Sequence, residues 1–558
     1  MKRIFTIIGW CTIFLCCACN EKDFLKETPL DFFSPETTYK SYSDYQSAIS
    51  GMYSQVRGYE MSSKGGIRTL LATDIAYNAR KDGDRWGNLS TVYISSSEQV
   101  EAFWENPYKT IKNANAILTR IGKSELSSAQ KAVVEAEARF FRAYCYRNLV
   151  YYFGGVPIVK EEITSPKRDF VRASREEVLA FMRDDLKFAA ENLPGIAEVE
   201  DGKVSDLVAK HYLAETLISL GDYKGAIQYA GDVISDSNTA LMTKRFGTRV
   251  SAVPNGDVFF DLFQRGNQNR KSAKNTEALW VIQMEEDVRG GYTVTTDYDY
   301  PLERFHVPSV HTLTDPDGEP GMLGPRSDFN VGGRGVSYMR TTEWMLNTCW
   351  GSDFDKDLRN SAVNVIREVI YDNPASRWYG QSAIAPESMS KNYKTNDYRW
   401  YPWFSKVTCP GDHPEGLYAD KETGLLTASA GGTYADQYLL RLAETYLLRA
   451  EAYLLLDNQK DKAAADINVV RRRAKASDVD PADVTLDYIL DERARELCFE
   501  ERRRITLYRT GTYVERTRRL NEWQGWQVED HMNLFPIPYS FIEANTGAAI
   551  EQNPGYSN

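Results

Sequence analysis

Residues 74–88 concentrate side chains suited to hold a polyhydroxylated ligand: Asp74, Asn78, Arg80, Asp82, Asp84, Arg85, Trp86 and Asn88. A sugar ring offers apolar C–H faces and a rim of hydroxyls. An aromatic ring stacks on the former, while Asp, Asn and Arg hydrogen-bond the latter. Asp74, Arg85, Trp86 and Asn88 are therefore the leading ligand-binding candidates. Local roles compete with this one, since an aspartate here also caps a turn and an indole also packs on its own loop. Tyr298, Tyr300, Trp344 and Trp350 form a second tier in an aromatic-rich stretch. Trp344 and Trp350 lie on or beside a short helical pattern, where core packing is the competing role. Trp104 and Tyr108, one helical turn apart, read as core.

Other chemistries find less material. The chain has five histidines, and His306 and His311 lack a third ligand for a metal. Asp315, Asp317 and Glu319 around Gly318, like Asp353, Asp355 and Asp357, miss the calcium-loop spacing and read as solvated turns. No metal and no cofactor is expected. A phosphate-binding P-loop, HExxH and GxSxG are missing from the sequence, and Gly332-Gly333-Arg334-Gly335 lacks the strand-and-helix context of a dinucleotide site. A glycosidase needs only two carboxylates, and 78 acidic residues can supply them, so the residues alone leave hydrolysis open. The formal net charge of −11 opposes nucleic-acid binding, which needs a basic footprint. The runs Arg471–Arg473 and Arg502–Arg504 have Glu492, Glu496, Glu500 and Glu501 near them and are read as helix-surface ion pairs.

The first residues follow a different logic. Lys2 and Arg3 precede an apolar run from Ile4 to Ala18, too short to span a bilayer and suited to a secretory signal. Cys19 follows the small Ala18, as the acylated cysteine of a bacterial lipoprotein does. Residues 1–18 are then a lipoprotein signal peptide and Cys19 the lipidation site. Cys16 stands where a leucine is usual, Cys17 competes as acceptor, and an ordinary cleaved signal is the alternative. Several acyl chains on one cysteine anchor a protein firmly. Cys145, Cys349, Cys409 and Cys498 show no metal-site spacing. Cys145 and Cys498 read as buried free thiols, and spacing leaves the pairing of Cys349 with Cys409 open.

These residues need elements to position them. Apolar residues recur at helical spacing over 35–60, 97–122, 128–153 and 175–192, with Ser174 and Glu177 as a capping box for the last. Residues 205–235 form a helical hairpin about Gly221-Asp222-Tyr223, and 437–456 with 460–474 form another. A third C-terminal helix spans 484–505. Small residues beside bulky ones on paired helices suit tetratricopeptide-like units, although the repeats are too degenerate for one regular solenoid. Between them, residues 236–436 scatter glycine, proline, Asp and Asn. Short β-type runs appear there at Leu279–Ile282 and Tyr292–Thr296, and brief helical pattern at 341–349 and 357–369. The expected fold is mainly α, with tetratricopeptide-like helical hairpins forming a scaffold and a large loop-rich binding region containing short strands. The division is 19–235, an N-terminal helical region; 236–436, the loop-rich variable region; and 437–558, a C-terminal helical region.

An ordered set of strings carries a family pattern: Glu137-Ala-Arg-Phe-Phe-Arg-Ala-Tyr, Tyr152-Phe-Gly-Gly-Val-Pro-Ile-Val, Ser174-Arg-Glu-Glu-Val, Leu440-Arg-Leu-Ala-Glu-Thr-Tyr-Leu-Leu-Arg-Ala-Glu-Ala, Asn468-Val-Val-Arg-Arg-Arg-Ala, Glu492-Arg-Ala-Arg-Glu-Leu-Cys-Phe-Glu, Phe535-Pro-Ile-Pro and Gln552-Asn-Pro-Gly-Tyr. Together they resemble the SusD/RagB family of Bacteroidetes surface lipoproteins. Asn20 to Asp23 resemble that group's acidic export tag, and Asp74 sits where many members place an aspartate before a binding loop. Glu500-Glu501-Arg502-Arg503 departs from the family's usual Glu-Gly before an Arg-rich turn, which bears on the geometry of that turn. The resemblance implies a lipid-anchored protein on the outer membrane, facing the exterior. It would bind oligosaccharide or polysaccharide nutrient and pass it to a SusC-like TonB-dependent transporter, over which it acts as a lid. It implies no catalysis. A peptide ligand is the alternative within the family, and a surface glycoside hydrolase a more distant one.

Overall fold

The computed structural model of the chain describes residues 39–557, except 63–64, 81–84, 286–300, 395–396 and 433–434. The helices start where their caps allow. Helix α1 (Tyr42–Met61) opens on a capping box between Ser41 and Asp44 and buries Tyr45, Ile49, Met52 and Val56 on one face. After it come α2 (Glu98–Ile121), α3 (Ser128–Phe153), α4 (Arg175–Asn192), α5 (Asp206–Ser219) and α6 (Tyr223–Ser235). The Ser174–Glu177 capping box forms as expected. Gly154 ends α3 at φ +73°, a left-handed conformation that a side chain would strain.

From α2 to α6 each helix packs on the next. The series then continues across the chain's long excursion, because α6 packs on α7 (Leu442–Leu455) and α7 on α8 (Lys460–Arg473). Residues 236–436 are thus an insertion into one helical stack. After α8 come α9 (Leu486–Leu497), α10 (Arg503–Arg509), α11 (Tyr513–Leu520) and α12 (Tyr539–Ala544), and helices of four or five residues lie at Leu89–Val92, Val258–Leu262, Arg270–Ala273, Leu302–His306 and Glu343–Leu346. Strands among the described residues pair antiparallel, two by two. They are β1 (Ala76–Asn78) with β3 (Met339–Thr341), β2 (Ala278–Ile282) with β8 (Gln437–Arg441), β4 (Val365–Ile366) with β5 (Trp403–Phe404), and β6 (Tyr418–Asp420) with β7 (Leu425–Leu426). The pairing of β2 with β8 returns the insertion to the start of α7.

Two expected helices are corrected. The helix over 484–505 breaks after Leu497, with Phe499 at φ +64°, before α10 begins at Arg503. The break turns Glu500 and Glu501 inward onto Arg441 and Arg493. The helical pattern over 357–369 resolves into a 3-10 turn at Leu358–Asn360, capped by Asp357, and then β4. There, β-branched Val365 and Ile366 pair with Phe404 and Trp403.

The arginine runs are the larger correction. Arg471, Arg473, Arg502, Arg503 and Arg504 are buried; within the first run only Arg472 is exposed, pairing with Asp478. Glu492 and Glu496 on α9 form the hub of the buried set. Glu492 accepts from Arg359 Nη1 and Arg471 Nη1, each at 2.7 Å, and from Arg495 Nε at 2.9 Å. Glu496 accepts from Arg441 Nη1 at 2.9 Å, from Arg359 Nη1 at 3.1 Å and from Arg473. Glu277 bridges Arg441 and Arg473 from the entrance to β2. The set therefore ties the insertion, β8, α8 and α9 at one point.

Truncating one member leaves buried charges unpaired. Glu496→Ala is expected to lower the unfolding free energy by about 3–5 kcal/mol, read from urea titration, whereas Arg472→Ala should leave the midpoint unchanged.

Burial alone would raise the Glu496 and Asp74 carboxyls. The surrounding guanidinium groups outweigh it and hold both at about 2. Both sit below their unfolded values of about 4. Their stabilising contribution is therefore complete above pH about 4 and is lost as pH falls toward about 2. Thermal melts should show a level Tm just above that window and a steep fall within it.

Candidate functional site

The structure separates the leading candidates. Asp74 is 0 % exposed, and both its oxygens are engaged: Arg503 Nε donates at 2.9 Å and Nη2 at 2.6 Å, and Arg516 Nε at 2.8 Å. It is a clamp between its loop and α10 and α11, not a ligand group. Trp86 is likewise 0 % exposed, with the Arg504 guanidinium 5.2 Å from its ring centroid. Tyr93, Tyr508, Tyr513 and Phe535 surround the same cation. The indole expected as a platform thus lines the cage of a buried arginine. Trp350 is also buried and donates to the Leu346 carbonyl at 3.2 Å. Trp344 is half-buried beside Arg516. Asn88 is exposed and accepts from Ser90 N at 3.1 Å as a helix cap. Tyr298, Tyr300, Cys19 and the Arg85 side chain lie outside the described residues. Trp104 is core, as expected, and Tyr108 packs on it from the edge.

Over this loop the structure presents a tryptophan that the sequence analysis did not single out. Trp526, on a 3-10 turn over Gly525–Gln527, is 80 % exposed. Its Nε1 donates to the Trp523 carbonyl at 2.9 Å, which fixes the ring in place. Flanking glutamines bind the turn to the predicted loop. Gln524 Nε2 donates to the Trp86 carbonyl at 2.6 Å, its Oε1 accepts from Asn78 N at 3.0 Å, and Gln527 Oε1 accepts from Leu89 N at 2.8 Å. Next to them, the Tyr77 and Trp523 rings lie 5.7 Å apart. The Arg80 guanidinium stands 4.9 Å from the Tyr398 ring and 5.3 Å from that of Tyr338. Among these groups Trp526 and Asn88 are exposed, Trp523, Arg80, Tyr338 and Tyr398 are part-exposed, and Tyr77 is buried beneath them. The signal for them was present at Asn521-Glu-Trp-Gln-Gly-Trp-Gln, the same mix of aromatic and amide side chains that marks 74–88.

A second constellation has the geometry of a nucleophile relay. Ser327 Oγ lies 2.6 Å from His413 Nδ1, and His413 Nε2 lies 2.9 Å from Glu303 Oε2. All three are buried, and Ser327 Oγ also accepts from Gly411 N and Tyr418 Oη, each at 3.0 Å. An oxygen saturated in this way has no lone pair left for attack, so the arrangement ties the segment 411–418, which leads into β6, onto Ser327 and Glu303. The acidic segments read as solvated turns are corrected: the first is a turn, but Asp315 is buried in it and its Oδ2 accepts from Ser376 Oγ at 2.6 Å. Asp315 Oδ1 accepts from three successive backbone amides, those of Asp317, Gly318 and Glu319. Asp353 and Asp357 instead pair with Arg471 and Arg359 in the buried set. Among the described residues no group of His, Cys, Asp and Glu is arranged to hold a metal ion. Cys145, Cys349, Cys409 and Cys498 are all buried free thiols, which resolves the pairing left open above.

Known proteins share this architecture. A family model described as the SusD family matches residues 276–556, and one described as "Starch-binding associating with outer membrane" matches residues 24–210. SusD-like protein P25 of Formosa agariphila is 24% identical over 572 residues, covering 96% of this chain and 95% of its own. A solved laminarin-binding SusD-like protein superposes with a TM-score of 0.67 at 20% identity, over 93% of this chain and 100% of that one. Surface glycan-binding protein A from Bacteroides thetaiotaomicron, solved with laminarihexaose, gives 0.66 at 17% identity over 92% and 99%. A mainly helical, tetratricopeptide-like stack with a loop-rich insertion is the architecture shared with these proteins, and the chain belongs to the SusD family.

Two tryptophans a few residues from one interface should then respond oppositely. Trp86→Ala is expected to cost about 3–5 kcal/mol of stability through the cavity it leaves, whereas Trp526→Ala should leave the urea midpoint in place.

Proposed function

We propose that this protein is a lipid-anchored outer-membrane receptor that holds oligosaccharide on the Trp526 face and passes it to a SusC-like TonB-dependent transporter. The observation that carries the reading is the Trp526 indole, 80 % exposed yet hydrogen-bonded in place. Exposing so large an apolar ring forfeits burial, and fixing it in advance lowers the entropic cost of stacking a sugar on it. Asn88, exposed between the two residues that Gln527 binds, supplies an amide for hydroxyls beside the ring. Membership of the SusD family supports a carbohydrate ligand, and laminarin and laminarihexaose, bound by the two structural relatives, are the first glycans to try. Lipidation at Cys19 would place the receptor on the membrane. Among the described residues no helix is long and apolar enough to cross it.

Calorimetric titration with laminarin, starch and host glycans is expected to give saturable binding to one glycan class without release of reducing ends. Trp526→Ala should weaken it by about tenfold or more, the loss of one stacking platform of about 1.5 kcal/mol. Binding of peptides in place of every glycan, or new reducing ends in the mixture, would refute the reading.

A further inference from the structure

A groove of ≈ 510 Å³ runs along α2, floored by Trp104, Tyr108 and Ile111 and walled by Ile163, Phe170 and Phe541. It shares no lining residue with the Trp526 face. One wall is the segment 157–163, which runs alongside α2 in the same direction. Tyr108 Oη donates to the Pro157 carbonyl and Asn115 Nδ2 to that of Val159, each at 2.8 Å, and Arg120 pairs with Glu162 at 2.8 Å. The first described residue sits at the end of this wall. The Tyr39 ring lies 5.3 Å from the Arg120 guanidinium and 5.1 Å from the Tyr45 ring.

Reach and composition both fit one occupant. Lys112 lies on the groove rim about 12 Å along α2 from Arg120, and Trp104 about 24 Å. A chain extended back from Tyr39 covers those distances in roughly four to seven residues, with roughly nine still within range if its course bends. Residues six to nine positions before Tyr39 are Leu30, Asp31, Phe32 and Phe33. Three are bulky and apolar, matching the floor, and the fourth carries a carboxylate, opposite in charge to Lys112, which is exposed on the rim.

We propose that this groove is the seat of the chain's own N-terminal arm, with Leu30, Phe32 and Phe33 on its apolar floor and Asp31 toward Lys112. An arm seated there brings Cys19 within about 40 Å of the groove, and so selects the point on the body from which a tether at that residue would pull.

Cross-linking tests the seat in the mature chain carrying Cys19→Ser. The four remaining native cysteines are buried, so an engineered pair reports alone. Phe32→Cys with Ile163→Cys is expected to close an intramolecular disulfide at least about tenfold faster than Phe32→Cys with the exposed Tyr379→Cys. Equal rates, no disulfide, or a disulfide-linked dimer showing a second copy in the groove would overturn the proposal. A second readout needs no cysteine. Leu30→Ser, Phe32→Ser and Phe33→Ser together should speed amide exchange across 157–163 by at least about tenfold, and unchanged exchange would overturn it.

Discussion

Glu492 and Glu496 stand one turn apart on α9, in a place where water does not reach, and hold guanidinium groups from three other parts of the chain. Each ion removed from water costs several kcal/mol, and the attraction between them repays this only when partners and hydrogen bonds are placed within narrow limits. An apolar contact can slide by an ångström at little cost, but this set cannot. Arg359 of the insertion, Arg441 of β8, Arg473 of α8 and Glu277 before β2 are thus positioned by one another. The insertion of residues 236–436 is irregular through much of its length, and this anchor is what lets it hold a defined position against the helical stack.

The same physics shapes the candidate face. Asp74 holds Arg503 and Arg516, which pins the start of the 74–90 loop to α10 and α11. Arg504 lies beside them in a cage of Trp86, Tyr93, Tyr513 and Phe535, where the electron-rich ring faces replace part of the hydration the cation gave up. With Asp74 and Trp86 consumed in this way, the described part of the loop serves as a foundation. The turn carrying Trp526 rests on it through Gln524 and Gln527 and presents the ring to solvent. The buried relay of Ser327, His413 and Glu303 makes the complementary point. Its distances match those of a catalytic relay, yet its nucleophile is enclosed and fully hydrogen-bonded, so function follows from access and unused valence more than from the identity of three side chains.

Helical periodicity, caps and turn glycines are local properties. They made α1 to α8, the Ser174–Glu177 cap, the hairpin turn at Gly221 and strand β2 legible from the amino acids alone, and the ordered motifs carried the family. The helix over 484–505 failed because charges at its break have partners far along the chain, 59 positions away for Glu500 and 429 for Arg503. Pairing with Arg441 and Asp74 bends the chain at Phe499, whatever the local propensity favours.

Burial of polar groups is the other quantity that local sequence does not contain. Arg471 and Arg473 face inward while Arg472 faces out, and nothing in a run of three arginines distinguishes them until α9 and Glu277 before β2 arrive to supply carboxylates. Trp86 and Trp526 have the same chemistry and similar neighbours, and only the packing of α10 beneath one of them makes it core and the other surface. The sequence by itself determined the helical stack and its family, because these rest on spacing along the chain. The tertiary structure alone decided which ring reaches solvent, because exposure depends on what distant segments cover.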